Sequence, residues 1–459
     1  MNMLNFEQIT NLQNKHKQEN PTLIREILAK AKNANGLNLD DVAALTTIKK
    51  PELLHELFTT AKKIKQQIYG NRLVLFAPLY ISNLCNNECL YCAFRASNKA
   101  LKRSALNQQQ IKEETLKLLD QGQKRALLVA GESYPNSGFQ YILDSIKTIY
   151  ETNNAKGDSI RRINVNLAPL PQEEFNQLKK AEIGTYQLFQ ETYHPDMYKK
   201  VHIRGKKADY NWRITAIDRA MQAGIDDVGI GVLFGLANWR FELLALMQHT
   251  QYLEQKFGVG PHTISVPRLE PASGSDLSKQ PPNAVNDEDF CKLIAILRLA
   301  VPFTGLIMST RETPAMRRQT FELGISQISA GSKTNPGGYN EEEEDASQFS
   351  LGDHRPMDEV IRDVASLGFI PSFCTACYRL GRTGEHFMQL AKTGKIKQMC
   401  NPNALLTFAE YLYDYASDET KEVGEKLIAK EISEIPTNVR PKFLSMLEQL
   451  KQGHRDLYI

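Results

Sequence analysis

Eight short apolar or β-branched runs between residues 73 and 328 limit the fold of this chain more than any other feature. They lie at 73–76, 126–130, 163–167, 186–189, 228–233, 263–266, 305–308 and 325–328. Stretches with apolar residues at helical spacing separate most of them, at 139–153, 171–181, 207–224, 239–257, 286–301 and 314–323. This alternation of strands and helices is typical of a parallel sheet.

The number of strand-helix units and the length they occupy indicate a particular architecture. Eight units over about 260 residues fit a (β/α)8 barrel, whose functional groups lie at the carboxyl-terminal strand ends. An open doubly wound sheet is the alternative, because counting strands does not show closure. We expect the barrel over 71–335, an N-terminal helical extension over 1–70 and a mostly helical C-terminal domain over 350–459. A breaker-rich stretch at 331–338 and an acidic run at 341–345 are interpreted as the boundary loop, with the acidic run a solvated surface.

Charge and cysteine content narrow the class of function. The formal net charge is +3, without the basic block that a nucleic-acid partner requires. The N-terminus lacks a signal-peptide pattern and no apolar run is long enough to span a bilayer, so we expect a cytoplasmic protein with no membrane partner. Of the seven cysteines, six fall in two tight groups, which indicates metal ligation in a reducing compartment. The seventh, Cys291, lies on an amphipathic pattern and is interpreted as a core thiol.

The first cysteine group, Cys85, Cys89 and Cys92, has the spacing C-x3-C-x2-C directly after the first strand. Three thiolates in one loop hold three irons of a 4Fe-4S cluster and leave the fourth iron open. That iron can bind the amino and carboxylate groups of S-adenosylmethionine (SAM), whose cleavage gives a 5'-deoxyadenosyl radical. The alternatives are a closed zinc or iron-sulfur site or a set of buried thiols, but the nearby fourth ligand that zinc needs is absent apart from the weak candidate Glu88.

This motif resembles the radical SAM superfamily, in which the aromatic residue at the position of Tyr91 packs near the adenine. The resemblance extends to Ala130-Gly131-Glu132, which is similar to a Gly-Gly-Glu-like element that binds the SAM amino group, with alanine replacing its first glycine. Glu191 and Arg213 resemble the residues that hold the SAM ribose and carboxylate in enzymes of the biotin synthase type. Their alternative role is that of ordinary surface charges.

The second cysteine group, Cys374, Cys377 and Cys400, has the spacing C-x2-C-x22-C near the C-terminus. It again supplies three thiolates. It is interpreted either as a second 4Fe-4S cluster or as a Cys3His zinc site that takes His386 as its last ligand.

Both cysteine patterns in one chain, together with residues 373–384 and 260–268, resemble the tyrosine-cleaving maturases of FeFe hydrogenases. The resemblance implies cleavage of the Cα–Cβ bond of L-tyrosine to p-cresol and dehydroglycine. It further implies that dehydroglycine reaches the second 4Fe-4S cluster and gives CO and cyanide on an additional iron that carries free cysteine. In this family the position of His262 ligates that iron, whereas a lone histidine of this kind is otherwise a structural residue. The barrel interior is then the conduit, enclosed by a capped carboxyl-terminal end.

Arg311 and Ser309, at the end of the seventh strand, are predicted to bind the tyrosine carboxylate, Arg311 through a bidentate pair. The alternative is a surface pair between Arg311 and Glu312. The resemblance implies hydrogenase maturation proteins as partners, and an electron donor such as ferredoxin or flavodoxin. Two competing functions remain: the tyrosine lyase of thiamine biosynthesis, which lacks the distal cysteine group, and a non-catalytic scaffold that only carries clusters.

Overall fold

The computed structural model of the protein describes residues 3–135, 137–341, 346–393 and 395–459. Within these residues the strands are β1 (Arg72–Ser82), β2 (Arg125–Ala130), β3 (Arg162–Asn166), β4 (Tyr186–Glu191), β5 (Val228–Val232), β6 (Thr263–Ser265), β7 (Gly305–Met308), β8 (Gln327–Ser329) and β9 (Ile370–Ser372). The helices are α1 (Phe6–Lys15), α2 (Pro21–Ala31), α3 (Leu39–Leu45), α4 (Pro51–Tyr69), α5 (Gln108–Asp120), α6 (Gln140–Glu151), α7 (Gln172–Lys180), α8 (Pro195–Val201), α9 (Tyr210–Ile214), α10 (Ala216–Gln222), α11 (Trp239–Phe257), α12 (Asp276–Lys279), α13 (Asp287–Ala300), α14 (Pro314–Leu323), α15 (Met357–Ser366), α16 (Ala376–Arg379), α17 (Gly384–Lys392), α18 (Lys395–Asp414), α19 (Asp418–Glu431) and α20 (Arg440–Lys451).

The first eight strands form a closed parallel barrel, which confirms the predicted fold class and excludes the open sheet. Neighbouring strands pair in chain order from β2 to β8. Closure depends on β1, which pairs with β8 through Val74–Phe76 and with β2 through Ala77–Ser82. Helices surround the barrel and cover its apolar outer face, as a parallel barrel requires.

The N-terminal helices pack on the flank of the barrel. Helix α4 presents Leu53, Leu57 and Ile64 to the core and contacts α13 and α14. Each of these side chains is almost completely buried and so contributes roughly 1.5–3 kcal/mol of hydrophobic stabilisation. Asparagine side chains cap the first three helices: Asn5, Asn20 and Asn38 each accept a hydrogen bond from a backbone N–H of the first turn.

A ninth strand, absent from the sequence-based prediction, joins the C-terminal segment to the barrel. Strand β9 pairs in parallel with the beginning of β1, with Ser372 opposite Val74. It therefore pairs with the part of β1 that precedes the pairing with β2, at the amino-terminal rim of the barrel. The run 369–373 contains Pro371, a residue tolerated only on an edge strand, and this weakened the strand signal.

The stretch 207–224, predicted as one helix, is interrupted. A 3-10 turn at Lys206–Ala208 is followed by α9 and α10. The break arises because Asp209 leaves the helix and its carboxylate caps the backbone N–H of Trp212 at 2.8 Å. Of the predicted acidic run at 341–345, residues 342–345 lie outside the described residues. No helix in the part of the chain described here has both the length and the apolarity needed to cross a membrane.

Candidate functional site

The first cysteine trio lies in the loop that follows β1, at the carboxyl-terminal mouth of the barrel. Cys85, Cys89 and Cys92 line a cavity of about 180 Å³ that the ends of the strands enclose. All the other predicted SAM and tyrosine contacts line the same cavity: Tyr91, Ala130, Gly131, Glu132, Glu191, Arg213, Ser309 and Arg311. We call this cavity the mouth site.

Backbone hydrogen bonds hold the cysteine loop against the end of α8. Leu90 N–H donates to Val201 O at 2.9 Å, and Glu88 N–H donates to Arg204 O at 2.9 Å. The Glu88 carboxylate accepts hydrogen bonds from the hydroxyl and backbone N–H of Ser97 at 2.6 and 3.0 Å. Because Glu88 is already engaged in this way, it is not available as the fourth ligand of a zinc site.

Cys89 is buried, and Cys85 and Cys92 are half-buried, which has an electrostatic consequence. Burial raises the pKa of Cys85 and Cys89, and it raises the pKa of Cys92 to about 11. Thiolates therefore need a cationic partner in this loop. In the described parts of the chain, no three Cys, His, Asp or Glu side chains converge closely enough to hold a single metal ion. A cuboidal cluster, by contrast, takes each thiolate on a different iron.

Two acids in the mouth site are paired with two cations, and Glu191 and Arg213 are buried whereas Glu132 and Lys207 are half-buried. Arg213 donates to the Glu132 carboxylate at 2.9 Å and approaches Glu191 at 3.4 Å, while Lys207 donates to Glu191 at 2.7 Å. Asn87 also donates to Glu132, at 2.6 Å. Burial disfavours the charged form of Glu132, but Arg213 and Lys207 outweigh it and lower its pKa. Glu132 therefore stays ionised and can accept hydrogen bonds from an ammonium group.

The segment Ala130–Glu132 reaches the mouth site because β2 ends beside the cysteine loop. Gly131 N–H donates to Ser82 O at 2.9 Å, and a side chain on Gly131 would collide with Leu84 O. Only glycine permits this approach. The hydroxyl of Tyr91 is hydrogen-bonded to His202 at 2.8 Å, so its ring is held firmly at the edge of the cavity.

Arg311 is the cation of the mouth site that has no acidic partner. Its guanidinium stacks on Phe349, with Cζ 3.3 Å from the ring centroid, and it makes no hydrogen bond within the described residues. Glu312 turns away and pairs with Arg268, so the alternative surface pair between Arg311 and Glu312 does not form. Ser309 lines the same cavity beside it. A half-buried guanidinium without an acidic partner favours a bound carboxylate.

The second cysteine trio lies at the opposite end of the barrel, at the amino-terminal rim. Cys374, Cys377 and Cys400 line a smaller cavity of about 60 Å³, together with His262, which immediately precedes β6. Strand β9 causes this placement, since Cys374 follows it by two residues and β9 pairs with the beginning of β1. We call this cavity the rim site. The rim site thus lies at the amino-terminal end of the barrel. On the basis of the sequence we expected a cap at the other end, the carboxyl-terminal one.

The rim site stabilises a thiolate. The hydrogen bond from the Cys377 thiol, assisted by the positive charge of Arg72, outweighs burial and lowers the pKa of Cys400. The pKa of Arg72 is raised in turn, because its attraction to the neighbouring cysteines outweighs the effect of burial. A low thiol pKa next to a cation is typical of a metal-binding cysteine.

Two histidines compete for the role of ligand at the rim. His262 lines the cavity, its ring centroid is 4.5 Å from that of Phe387, and its buried Nδ1 has no hydrogen-bond partner. His386 is exposed and its Nδ1 lies 3.3 Å from Gly381 O. A zinc site that recruits His386 is therefore not favoured by this arrangement, whereas His262 has a free nitrogen for a metal.

Sequence reasoning missed several side chains in both cavities. At the mouth they are Lys207, Asn87, Tyr80 and Gln348; at the rim they are Arg72, Arg125, Asp227, Tyr378 and Arg382. A signal for part of the rim set exists in the sequence, because β1, β2 and β3 each begin with an arginine. Asp227 carried no such signal.

Comparisons with known proteins agree with this geometry. Residues 79–245 match the Radical SAM superfamily, and residues 265–370 match the Biotin and Thiamin Synthesis associated domain. The 2-iminoacetate synthase of Escherichia coli strain K12 is 33% identical over 357 residues, which are 78% of this chain and 92% of that protein.

Two solved structures resemble the whole chain. A crystal structure of HydG, a maturase of the [FeFe]-hydrogenase, has a TM-score of 0.97 and 48% identity, with both chains covered completely. The FeFe-hydrogenase maturase HydG from Carboxydothermus hydrogenoformans has a TM-score of 0.84 and 41% identity, covering 96% of this chain and 97% of its own. The similarity therefore includes the rim site as well as the barrel.

Proposed function

Because this chain belongs to the HydG family of radical SAM maturases, we propose that it cleaves L-tyrosine to p-cresol and dehydroglycine and converts the latter to CO and cyanide. The first reaction takes place at the mouth site and the second at the rim site. The products supply diatomic ligands for the H-cluster of an FeFe hydrogenase.

The mouth site fits a 4Fe-4S cluster with SAM. Cys85, Cys89 and Cys92 would hold the cluster, and the donor set of Glu132, Glu191 and Arg213 would bind the polar groups of SAM. When bound, this pair supplies a 5'-deoxyadenosyl radical. The chain contributes the positions of the reactants and the exclusion of water.

Arg311 and Ser309 orient the tyrosine. The unpaired guanidinium of Arg311 would take the carboxylate bidentately, and Ser309 would donate a further hydrogen bond to it. This anchors the backbone end of the substrate, so the bond that breaks lies at a fixed distance from the anchored carboxylate. Phe349, stacked on Arg311, keeps the guanidinium in place.

At the rim, Cys374, Cys377 and Cys400 would hold the second 4Fe-4S cluster, and the free nitrogen of His262 would ligate the additional iron that carries free cysteine. Dehydroglycine is an imine that water hydrolyses, so an enclosed route between the sites protects it. The barrel interior, which separates the mouth from the rim, provides this route in our proposal.

The observation that carries the proposal is the presence of two cysteine trios at opposite ends of one closed barrel. Anaerobic reconstitution should load about eight irons or slightly more in two spectroscopically distinct clusters. With SAM, a reductant and tyrosine, the enzyme should release p-cresol and deoxyadenosine, and infrared spectroscopy should detect protein-bound CO and cyanide. Zinc at the rim, or cluster-replete enzyme that makes no p-cresol, would contradict the proposal.

Specific features argue against the two rivals. The tyrosine lyase of thiamine biosynthesis has no use for the rim trio, whereas here a strand, β9, brings that trio to the barrel. A non-catalytic scaffold has no use for an unpaired arginine in the mouth site. We further propose that hydrogenase maturation proteins receive the product, that a ferredoxin or flavodoxin supplies electrons, and that residues 350–459 act as the domain that carries the second cluster.

A further inference from the structure

One short segment of the chain contacts both the first cysteine trio and Arg311 in the mouth site. Gln348 and Phe349 are adjacent in the sequence, both line the cavity and both are half-buried. The proposed function gives Phe349 the task of holding Arg311 and leaves Gln348 without a role. Because the two side chains reach different parts of the cavity from neighbouring positions of one backbone, a change at one can affect the other.

The side-chain amide of Gln348 is directed at a proposed cluster ligand. Its Nε2 donates to the sulfur of Cys92 at 3.8 Å, and its Oε1 accepts from the hydroxyl of Tyr80 at 2.7 Å. The ring of Tyr80 is buried and packs edge-on against Phe94, so the hydroxyl has a fixed position. Turning the amide over would place its oxygen against a thiolate. The orientation with the N–H group toward Cys92 is therefore favoured when this cysteine binds iron.

Backbone hydrogen bonds also connect Gln348 to the cysteine loop. Gln348 O accepts from the N–H of Ala93, the residue after Cys92, at 3.4 Å. Gln348 N–H donates to Thr334 O at 3.0 Å. Gln348 thus contacts the cysteine loop through both its side chain and its backbone, and a shift of this segment would change the distance between its amide and the sulfur.

Phe349 connects the segment to the substrate end of the cavity. The guanidinium Cζ of Arg311 lies 3.3 Å from the ring centroid of Phe349, and the guanidinium makes no hydrogen bond within the described residues. Without a ligand, this group is therefore positioned mainly by the ring. A bound carboxylate would fix the guanidinium with two hydrogen bonds. The stacked ring, and the backbone that Phe349 shares with Gln348, would then be restricted as well.

We propose that Gln348 and Phe349 couple the tyrosine site to the first cluster. Gln348 donates a hydrogen bond to a ligating thiolate and so favours the reduced cluster, because reduction adds negative charge that the N–H group stabilises. Phe349 makes this hydrogen bond stronger when a carboxylate holds Arg311. The cluster is then easier to reduce when tyrosine is bound, which is when the radical has a target. This inference rests on the proposed function, since it takes tyrosine as the ligand of Arg311 and the first trio as the cluster site.

The first arm of the test measures the reduction potential of the first cluster without SAM or tyrosine. The anaerobically reconstituted full-length enzyme is titrated with reductant while electron paramagnetic resonance follows the signal that is missing in Cys89→Ala. Gln348→Met keeps the bulk of the side chain and removes the N–H donor. We expect it to lower the ratio of reduced to oxidised cluster at a fixed potential by about threefold to tenfold, as for loss of one hydrogen bond. Tyr80→Phe removes only the hydroxyl that orients the amide and should lower the ratio less.

The matched control for this arm is a glutamine beside a different cysteine. The Oε1 of Gln319 lies 3.8 Å from the sulfur of Cys291, and neither residue lines the mouth or the rim cavity. Gln319→Met should therefore leave the potential of the first cluster unchanged.

The second arm adds saturating tyrosine, again without SAM. In the wild type, tyrosine should raise the ratio of reduced to oxidised cluster by about twofold to fivefold, which is no more than the hydrogen bond itself contributes. Because such coupling is reciprocal, tyrosine should bind the reduced enzyme more tightly than the oxidised enzyme by the same factor. Phe349→Leu keeps every charge and removes the stacked ring, so it should lose most of this response. Tyramine, which lacks the carboxylate, should give no response in the wild type.

Each part of the proposal can be overturned separately. An unchanged potential in both Gln348→Met and Tyr80→Phe would overturn the hydrogen bond to the cluster, and Tyr80→Phe alone decides this point if Gln348→Met fails to load the cluster. A response to tyrosine that persists in Phe349→Leu, that tyramine also produces, or that is missing in the wild type would overturn the coupling.

Failure of the proposed function gives a different result. In that case the wild-type enzyme shows no first-cluster signal, or makes no p-cresol although its clusters are complete, and the coupling is overturned along with it. If only the coupling is wrong, the wild type still makes p-cresol and the variants leave the potential and its response to tyrosine unchanged.

Discussion

The mouth and the rim of the barrel satisfy their buried charges in opposite ways. At the mouth, Glu132 and Glu191 are already paired with Arg213 and Lys207, and Arg311 is the cation left over. At the rim, buried nitrogen and oxygen atoms of Arg72, Arg125, Arg382, Asp227 and His262 lack partners. The charged side chains of the mouth are therefore already positioned before a ligand binds. Among the described residues of the mouth, the one cation without an acidic partner, Arg311, favours a ligand with a negatively charged group.

The rim differs because its unpaired groups surround the place where thiolates would hold a cluster. A buried polar atom without a partner is costly, so this many in one cavity indicate that the folded protein is completed by what it binds there. The comparison teaches that the two sites depend differently on their ligands: the mouth is organised without them, whereas the rim needs them.

The largest expected effect separates the two sites chemically. Cys89→Ala should abolish p-cresol, CO and cyanide, because without the first cluster no radical forms. Cys374→Ala with Cys377→Ala should spare p-cresol and abolish CO. Gas chromatography of p-cresol and infrared detection of CO measure the two outcomes. Cys291→Ala, a change in the buried thiol that lies 3.9 Å from the sulfur of Met316, is the control. Loss of p-cresol in the rim double variant would contradict the division of labour.

A second prediction tests the unpaired cation of the mouth. Arg311→Lys should lower kcat/KM for tyrosine by about tenfold to a hundredfold, because lysine cannot reproduce a bidentate pair with a carboxylate. Release of deoxyadenosine in the absence of tyrosine should not change. The control is Arg318→Lys on α14, whose guanidinium pairs with Asp363 at the surface. An unchanged dependence on tyrosine would remove Arg311 from the substrate site.

A third prediction concerns the incomplete set of ligands at the rim. His262→Ala should lower the iron content by about one per chain without removing either cluster, since a single imidazole is lost. It should also abolish CO and cyanide while p-cresol continues. Elemental analysis and Mössbauer spectroscopy measure the iron. His386→Ala, on the exposed side of α17, should retain the full content. The opposite pattern would revive the zinc interpretation of this cysteine group.

The smallest effect concerns the loop that carries Glu191. Glu242 on α11 accepts hydrogen bonds from Thr192 and from Tyr193 N–H, and burial raises its pKa to about 7. Because the folded pKa lies above the unfolded value, stability falls as pH rises from the unfolded pKa through the folded one, that is, between about pH 4.5 and 7.

Over that interval the melting temperature should fall by up to about 2 °C per pH unit from this group alone. Glu242→Gln keeps the hydrogen bonds of the neutral form and should remove this contribution. Differential scanning calorimetry at pH 5, 6 and 7 makes the comparison. If the melting temperature of the variant depended on pH as that of the wild type does, ionisation of Glu242 would have no effect on stability.

The sequence predicted the barrel and both cysteine groups because these features are local. Strand runs, helical spacing and the distances between cysteines are read within one segment of the chain. The conclusion that the two trios lie at opposite ends of the barrel was not available in this way. It depends on β9 pairing with β1 across almost 300 residues, and the proline in β9 obscured even the strand.

The unpaired groups could not be predicted from the sequence either. Whether Asp227 meets a cation depends on which side chains the neighbouring strands bring to the rim, and the adjacent Asp226 has the same chemistry but is exposed. Lys207 was missed because the helix predicted over 207–224 breaks at Asp209, which changes where the side chains before the break point. These outcomes follow from tertiary packing, which overrides local pattern.

Strand β1 connects the mouth site and the rim site through one continuous stretch of backbone. Its first residues pair with the strand that leads to Cys374, and its last residue, Ser82, leads directly to Cys85. The eight steps from Val74 to Ser82 correspond to about 26 Å of extended chain. The length of this strand therefore helps to set the separation of the two cysteine trios along the barrel, and that separation cannot be shortened without rebuilding the strand on which both sites depend.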